Sequence, residues 1–207
     1  MQPTPEFSLA ELNQSVRRHA HDLRNCINYI ELETTLLLEI NADPETRSQL
    51  QMMKGELAVV TNLLRSLSAR VSPLKLEPTP LMEIFSKWRK QLHLPATGPQ
   101  IVWDTAQLGV FIFTDTHLLV ALLGELLTTL RQATGAQEIR ISLVPAPTDI
   151  AIELTASPTA TLREDPSLIH EWTTLAARSG GHFSQTINTA GSPGFRINFL
   201  VEPMDAE

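Results

Sequence analysis

One cysteine, Cys26, is all that the 207 residues contain. An internal disulfide is therefore excluded, and a reducing compartment suits the chain. Basic residues are in deficit: 16 Lys and Arg stand against 23 Asp and Glu, for a net charge of -7. A nucleic-acid binder concentrates positive charge, so that class is disfavoured. No apolar run approaches the roughly 18 residues that span a bilayer, so no membrane segment is expected. The opening Met-Gln-Pro-Thr-Pro-Glu has neither a basic n-region nor an apolar core. No secretory leader is read there, and the expected location is the cytoplasm. A phosphate-cradling glycine loop and a Gly-x-Ser-x-Gly elbow are both missing. His93, His117, His170 and His182 are scattered, without metal-ligand spacing to the cysteine. What the sequence does have is apolar material, 43% of its residues, enough for a real core.

The apolar spacing is helical first. Ser8-Leu9-Ala10-Glu11 has the form of a capping box. After it, Leu9, Leu12, Val16, His19, Leu23, Cys26, Ile30 and Leu37 form one stripe, with Glu33 as an interruption and Ala20 and Ile27 broadening it. This predicts a helix ending near Ile40. Asp43-Pro44 then supplies an N-cap and a first-turn proline for a second helix. Leu50, Met53, Leu57, Val60, Leu64, Leu67 and Val71 alternate spacings of three and four, the seam of helices packed at shallow angles. A lone hairpin buries little, and a second copy would complete a four-helix bundle. A homodimer through residues 8–71 is expected, the alternative being that the hairpin packs on its own C-terminal domain.

Ser72-Pro73 breaks the second helix, and the proline-bearing stretch to Pro80 reads as a linker. Thr79-Pro80 caps a helix over about residues 80–92, and a loop follows from Pro95 to Pro99. Strands are predicted at 101–103, 110–113, 138–143, 150–154, 182–187 and 195–201. Asp115 caps an apolar helix running to Leu130, and Asp165-Pro166 opens another that Gly180-Gly181 closes. The fold class is α+β: a helical hairpin over residues 1–72, then an α/β sandwich over 73–207 with helices on one face of a mixed sheet.

With Val16, His19 and Leu23 on the seam, His21 falls on the outward face of the first helix, and His19 is expected to be partly buried. Trp88, Trp103 and Trp172 are read as core. At this point His21-Asp22-Leu23-Arg24-Asn25 resembles the H-box of two-component sensor histidine kinases. The passage Leu76 to Ile84 resembles the entry to that family's second domain, and Asp115 through Leu127 its N-box helix. The resemblance covers nearly the whole chain. It implies a dimerisation and phosphotransfer hairpin followed by an ATPase domain of the kinase/gyrase/chaperone type, with His21 as the residue that takes the phosphoryl group.

A neutral imidazole is a competent nucleophile near pH 7. Asp22 can orient it or take its proton. Asn25 lies four residues on, on the same face. An acidic residue followed three positions later by Asn resembles the family's motif for dephosphorylating a receiver domain. Arg17, Arg18 and Arg24 place positive charge beside the histidine, which suits an acidic partner; an ordinary solvated helix face is the alternative reading. Glu125 stands where some relatives keep a base, and is read as a solvent-facing charge.

The departures from the family bear on ATP. Thr129 stands where the resemblance places the asparagine that holds magnesium. The adenine-reading turn with its aspartate and glycines is replaced by Thr155-Ala156-Ser157-Pro158-Thr159-Ala160, and the glycine-rich lid by Arg163-Glu164-Asp165-Pro166-Ser167-Leu168. Adenine recognition wants a carboxylate acceptor and glycines for close approach, and magnesium wants several oxygen ligands. The expectation is a histidine phosphotransferase similar to kinases of degenerate architecture. It would accept a phosphoryl group on His21 from a receiver-domain aspartate of a response regulator or hybrid histidine kinase and pass it on. No cofactor of its own is expected, magnesium being held by the partner receiver domain. Two alternatives stay open: a response-regulator phosphatase acting through Asp22 and Asn25, and a non-catalytic pseudokinase that regulates a partner kinase.

Overall fold

The computed structural model describes residues 9–92, 98–105, 109–162, 165–187 and 191–201. It divides into two compact units, Met1–Pro73 and Leu74–Glu207.

The first unit is a helical hairpin of α1 (Leu9–Ile40) and α2 (Pro44–Val71). Ser8 of the expected capping box lies outside the described residues. The turn is built as the sequence dictates. Asp43 accepts from the Thr46 amide at 2.8 Å and from its hydroxyl at 2.6 Å, and Pro44 occupies the first turn. Arg47 Nη1 donates to the carbonyls of Leu38 at 2.6 Å and Asn41 at 2.9 Å, tying α2 to the end of α1. The helix–helix core is Ala20, Ile27 and Leu64, with Leu57 packed against it.

That core corrects the expected seam. On α1 the residues turned toward α2 are Ala20, Ile27 and Thr34, at seven-residue spacing. His19 is exposed, its Nδ1 2.8 Å from the Ser15 carbonyl oxygen, and is not a seam residue. The α2 seam splits in two. Leu50, Leu57, Leu64 and Val71 are buried or half-buried, whereas Met53, Val60 and Leu67 are exposed. One apolar repeat thus spreads over two neighbouring faces of α2, one turned to α1 and one exposed.

The second unit runs β1 (Glu77–Pro80), α3 (Leu81–Gln91), β2 (Gln100–Asp104), β3 (Phe111–Thr114), α4 (Thr116–Gln132), β4 (Glu138–Pro145), β5 (Asp149–Ala156), α5 (Pro166–Arg178), β6 (His182–Ile187) and β7 (Pro193–Leu200). The main sheet has the order β2-β4-β5-β7-β6, with β2 parallel to β4 and the other pairs antiparallel. Its register places Ile141 beside Leu154 and Ile152 beside Ile197. Their buried side chains meet α4, whose Leu119, Leu122, Leu123, Leu126 and Leu130 are fully buried. The result is an α/β sandwich. Trp88 and Trp172 are buried in it, and Trp103 is half-buried with Arg89 stacked 4.2 Å from its ring.

Two expectations are corrected here. The end of the expected linker is a strand: Glu77–Pro80 pairs antiparallel with β3 in a separate two-stranded sheet, so β3 does not join the main sheet. Two prolines are tolerated because the strand is short and has β3 as its one neighbour. In addition, α3 starts at Leu81 without a side-chain cap. Thr79 instead donates its hydroxyl to the Glu77 carbonyl, and the Leu81 amide bonds the Val110 carbonyl. The other caps are as the sequence predicts. Asp115 accepts from the Leu118 amide and Asp165 from the Ser167 amide.

Candidate functional site

His21 lies one residue past the buried Ala20, about 100° further round α1. This carries its ring to the flank of the hairpin, where the side chain is 67% exposed. Asn25, one turn on, brings its amide nitrogen to 3.3 Å from Nδ1. Asp22 brings Oδ1 to 3.6 Å from the same nitrogen. Both neighbours therefore gather on Nδ1. Among the described residues Nε2 has no protein partner and faces solvent. In the tautomer whose Nδ1–H faces the Asp22 carboxylate, Nε2 keeps its lone pair; in the other, the Asn25 amide donates to Nδ1 and Nε2 carries the proton. The local sequence explains this cluster fully, since all three residues lie within five positions of one helix.

The arginines separate. Arg17 and Arg18 are exposed on α1, and Arg17 Nε donates to the Asn13 carbonyl at 3.4 Å. Arg24 turns the other way. Its Nη2 donates to Ser68 Oγ of α2 at 3.2 Å, across the hairpin. There it meets Arg65, whose Nη1 donates to Asn62 Oδ1 at 2.7 Å. Burial, and then the charge of Arg24, push the Arg65 guanidinium below the ordinary arginine range. Arg65 and Ser68 went unnoticed in the sequence. Their signal, a polar pair three apart beside the Leu64 seam position, gains meaning only once α2 is seen to face Arg24.

In the second unit the positions singled out for nucleotide also have structure. The Thr129 hydroxyl donates to the Glu125 carbonyl at 3.1 Å, within its own helix. Glu125 is half-buried and is not the solvent-facing charge expected of it. The segment after β5 folds back onto the α4–β4 connection. Ser157 Oγ accepts from the Gln137 amide at 3.0 Å, Thr159 Oγ1 donates to the Gly135 carbonyl at 3.0 Å, and the Thr161 amide donates to the Thr134 carbonyl at 2.9 Å. Gly135 adopts a φ of +81°, and a Cβ there would stand 2.6 Å from the Thr159 carbonyl oxygen. His93, Arg163 and Glu164 lie outside the described residues. Among the described residues no cluster of three or more metal-ligating side chains occurs, and no helix is long and apolar enough to cross a membrane.

A hairpin of this length followed by this sandwich has counterparts among solved structures. Full-length ShkA in complex with AMPPNP superimposes with a TM-score of 0.55 at 14% identity, over 91% of this chain and 46% of that one. The histidine kinase AdeS of Acinetobacter baumannii gives 0.53 at 12% identity, over 88% and 98% of the two chains. The fold is that of a histidine kinase core. A nucleotide-free catalytic domain of the histidine kinase ThkA matches 63% of this chain and all of its own, at a TM-score of 0.50 and 12% identity, in keeping with that assignment. The chain spans about half the length of ShkA and nearly all of the AdeS chain. No protein-family model and no curated protein sequence matches this chain.

Proposed function

We propose that the chain is a histidine phosphotransferase of a two-component phosphorelay. The observation that carries the reading is the state of His21: an exposed imidazole whose Nδ1 is engaged by Asn25 and Asp22 while Nε2 is left open. In the proposed step the Nε2 lone pair attacks the phosphorus of an aspartyl phosphate on a receiver domain. The N–P bond forms as the P–O bond to the aspartate breaks, and the electron pair leaves with the regenerated carboxylate. The reverse step on a second receiver completes the relay. Asn25 holds the ring through Nδ1, and Asp22 offsets positive charge that develops there. Magnesium belongs to the receiver domain.

Transfer from ATP by this chain is not part of the proposal. The residues do not fit the nucleotide. Thr129 offers one hydroxyl oxygen where magnesium needs several ligands, and the segment after β5 offers hydroxyls bonded to backbone where a carboxylate and glycines would be needed.

The working form is a homodimer in the same proposal. Leu23, Ile30 and Leu37 on α1 repeat every seven residues, as do Met53, Val60 and Leu67 on α2, and all six are between 38% and 53% exposed. Two such stripes on one hairpin suit a second copy that closes a four-helix bundle.

The test is a transfer assay with a panel of phosphorylated receiver domains and, separately, with labelled ATP and magnesium. Acid-labile label on the wild type that requires a receiver and disappears in His21→Ala is the expected result. Label from ATP alone would overturn the reading of the second unit. A second reading, receiver phosphatase, is favoured by the side-by-side exposure of Asp22 and Asn25. It is supported if receiver label is lost to water in His21→Ala but not in Asn25→Ala. Neither label transfer nor loss of receiver label with any receiver would leave a regulatory pseudokinase.

A further inference from the structure

Arg24 and Arg65 form a pair of like charges that no ion pair neutralises among the described residues. They come from different helices, and Arg24 bonds Ser68, which lies one turn beyond Arg65 on the same face of α2. The hydrogen-bond partner of each guanidinium is a neutral oxygen, Ser68 Oγ for Arg24 and Asn62 Oδ1 for Arg65. Among the described residues no carboxylate forms an ion pair with either. Both side chains are half-buried. Two cations sharing a partly desolvated site repel one another and lose hydration, so a fold gains nothing by keeping them there without an anion. Each guanidinium has five N–H donors, most of them left over after these single bonds. Arg24 is three residues from His21 on α1, and its guanidinium is turned toward α2, so the pair lies along the hairpin from the ring rather than beside it in sequence alone.

We propose that Arg24 and Arg65 together form the anion-receiving site of the hairpin, taking a carboxylate from the acidic face of the receiver domain as it docks on His21. The inference rests on the phosphorelay reading and adds to it a recognition element drawn from both helices. A carboxylate bridging two guanidiniums gains charge-assisted, forked hydrogen bonds and removes the repulsion between them. Docking is thereby fixed in register as well as attracted, since the site exists only where α1 and α2 come together.

The experiment uses the full chain, Arg24→Gln, Arg65→Gln and Arg65→Lys, with three readouts. Receiver affinity by titration calorimetry should fall about tenfold or more in either Gln variant, with a weaker dependence on salt, and recover in part in Arg65→Lys. Inorganic phosphate at constant ionic strength should raise the Tm of the wild type and of His21→Ala, and raise that of the Gln variants much less. Without phosphate, Arg65→Gln should melt no lower than the wild type, because a repulsive charge has been removed. Unchanged receiver affinity together with an unchanged phosphate response would overturn the pair as an anion site. So would a lowered Tm in Arg65→Gln with the phosphate response intact, which marks a purely structural role. If no receiver ever labels His21 while the phosphate response still depends on both arginines, the relay reading fails and the anion site stands.

Discussion

The Asp115 carboxylate is buried, and each oxygen has its own task. Oδ1 accepts from the Leu118 amide at 3.0 Å, and Oδ2 accepts from the Lys75 amide at 2.9 Å, forty residues earlier. One side chain therefore caps α4 and pins the entry to the second unit. Asp115→Ala strips the cap and leaves two amides unpaired, and should cost roughly 2–3 kcal/mol in urea unfolding of the second unit, with Asp115→Asn in between. His21, Asp22 and Asn25 differ in kind from such a residue. Their mutual geometry is a matter of helical spacing alone, which is why that cluster is legible in the sequence. Arg24 is not legible in the same way. Spacing places it within a turn of His21, yet its guanidinium goes to Ser68, because a long side chain at the edge of a helix interface follows the partner helix.

Several helix ends are set by local devices. At the end of α5 the Gly181 amide bonds the Ala176 carbonyl at 2.8 Å and the Gly180 amide bonds the Ala177 carbonyl at 3.1 Å, the Schellman arrangement. Gly180 has a φ of +86°, and a Cβ there would collide with the Phe113 carbonyl oxygen. Gly180→Ala should destabilise the second unit by about 1–3 kcal/mol, measured by thermal or urea melting. At the start of α2, the hydrogen bonds from Thr46 hold the Asp43 carboxyl below its usual value. The stabilisation is therefore complete above the unfolded carboxylate value and is lost as pH falls through the lower, folded one. The hairpin should lose melting temperature in acid below about pH 4, and Asp43→Asn should flatten that dependence. The caps at Asp43, Asp115 and Asp165 were readable because a cap is a contact between near neighbours in sequence. The strand at Glu77–Pro80 was not, since its partner β3 lies more than thirty residues away and its prolines mimic a linker.

At the scale of the molecule, two units carry two different kinds of core. The second buries leucines of α4 against the strands of a mixed sheet. The first buries a thin line between two helices and leaves apolar stripes in water. Replacing one stripe residue on each helix, as in Ile30→Glu with Leu67→Glu, should convert the proposed dimer of the 207-residue chain to monomer in sedimentation, without altering its far-UV spectrum. A chain of residues 74–207 alone should sediment as a monomer. The amino-acid sequence by itself determined the helices, most of the strands, the caps at Asp43, Asp115 and Asp165 and the grouping of His21, Asp22 and Asn25 on α1, since all of these depend on periodicity or on neighbours within a turn. The tertiary structure alone decided which half of the α2 repeat faces α1, that His19 is exposed, that β3 pairs outside the main sheet, and that Arg24 meets Arg65. The physical reason is common to all four. A helical stripe or a short strand is compatible with more than one partner, and the choice is made by whichever distant surface buries the most apolar area and leaves the fewest backbone groups unpaired.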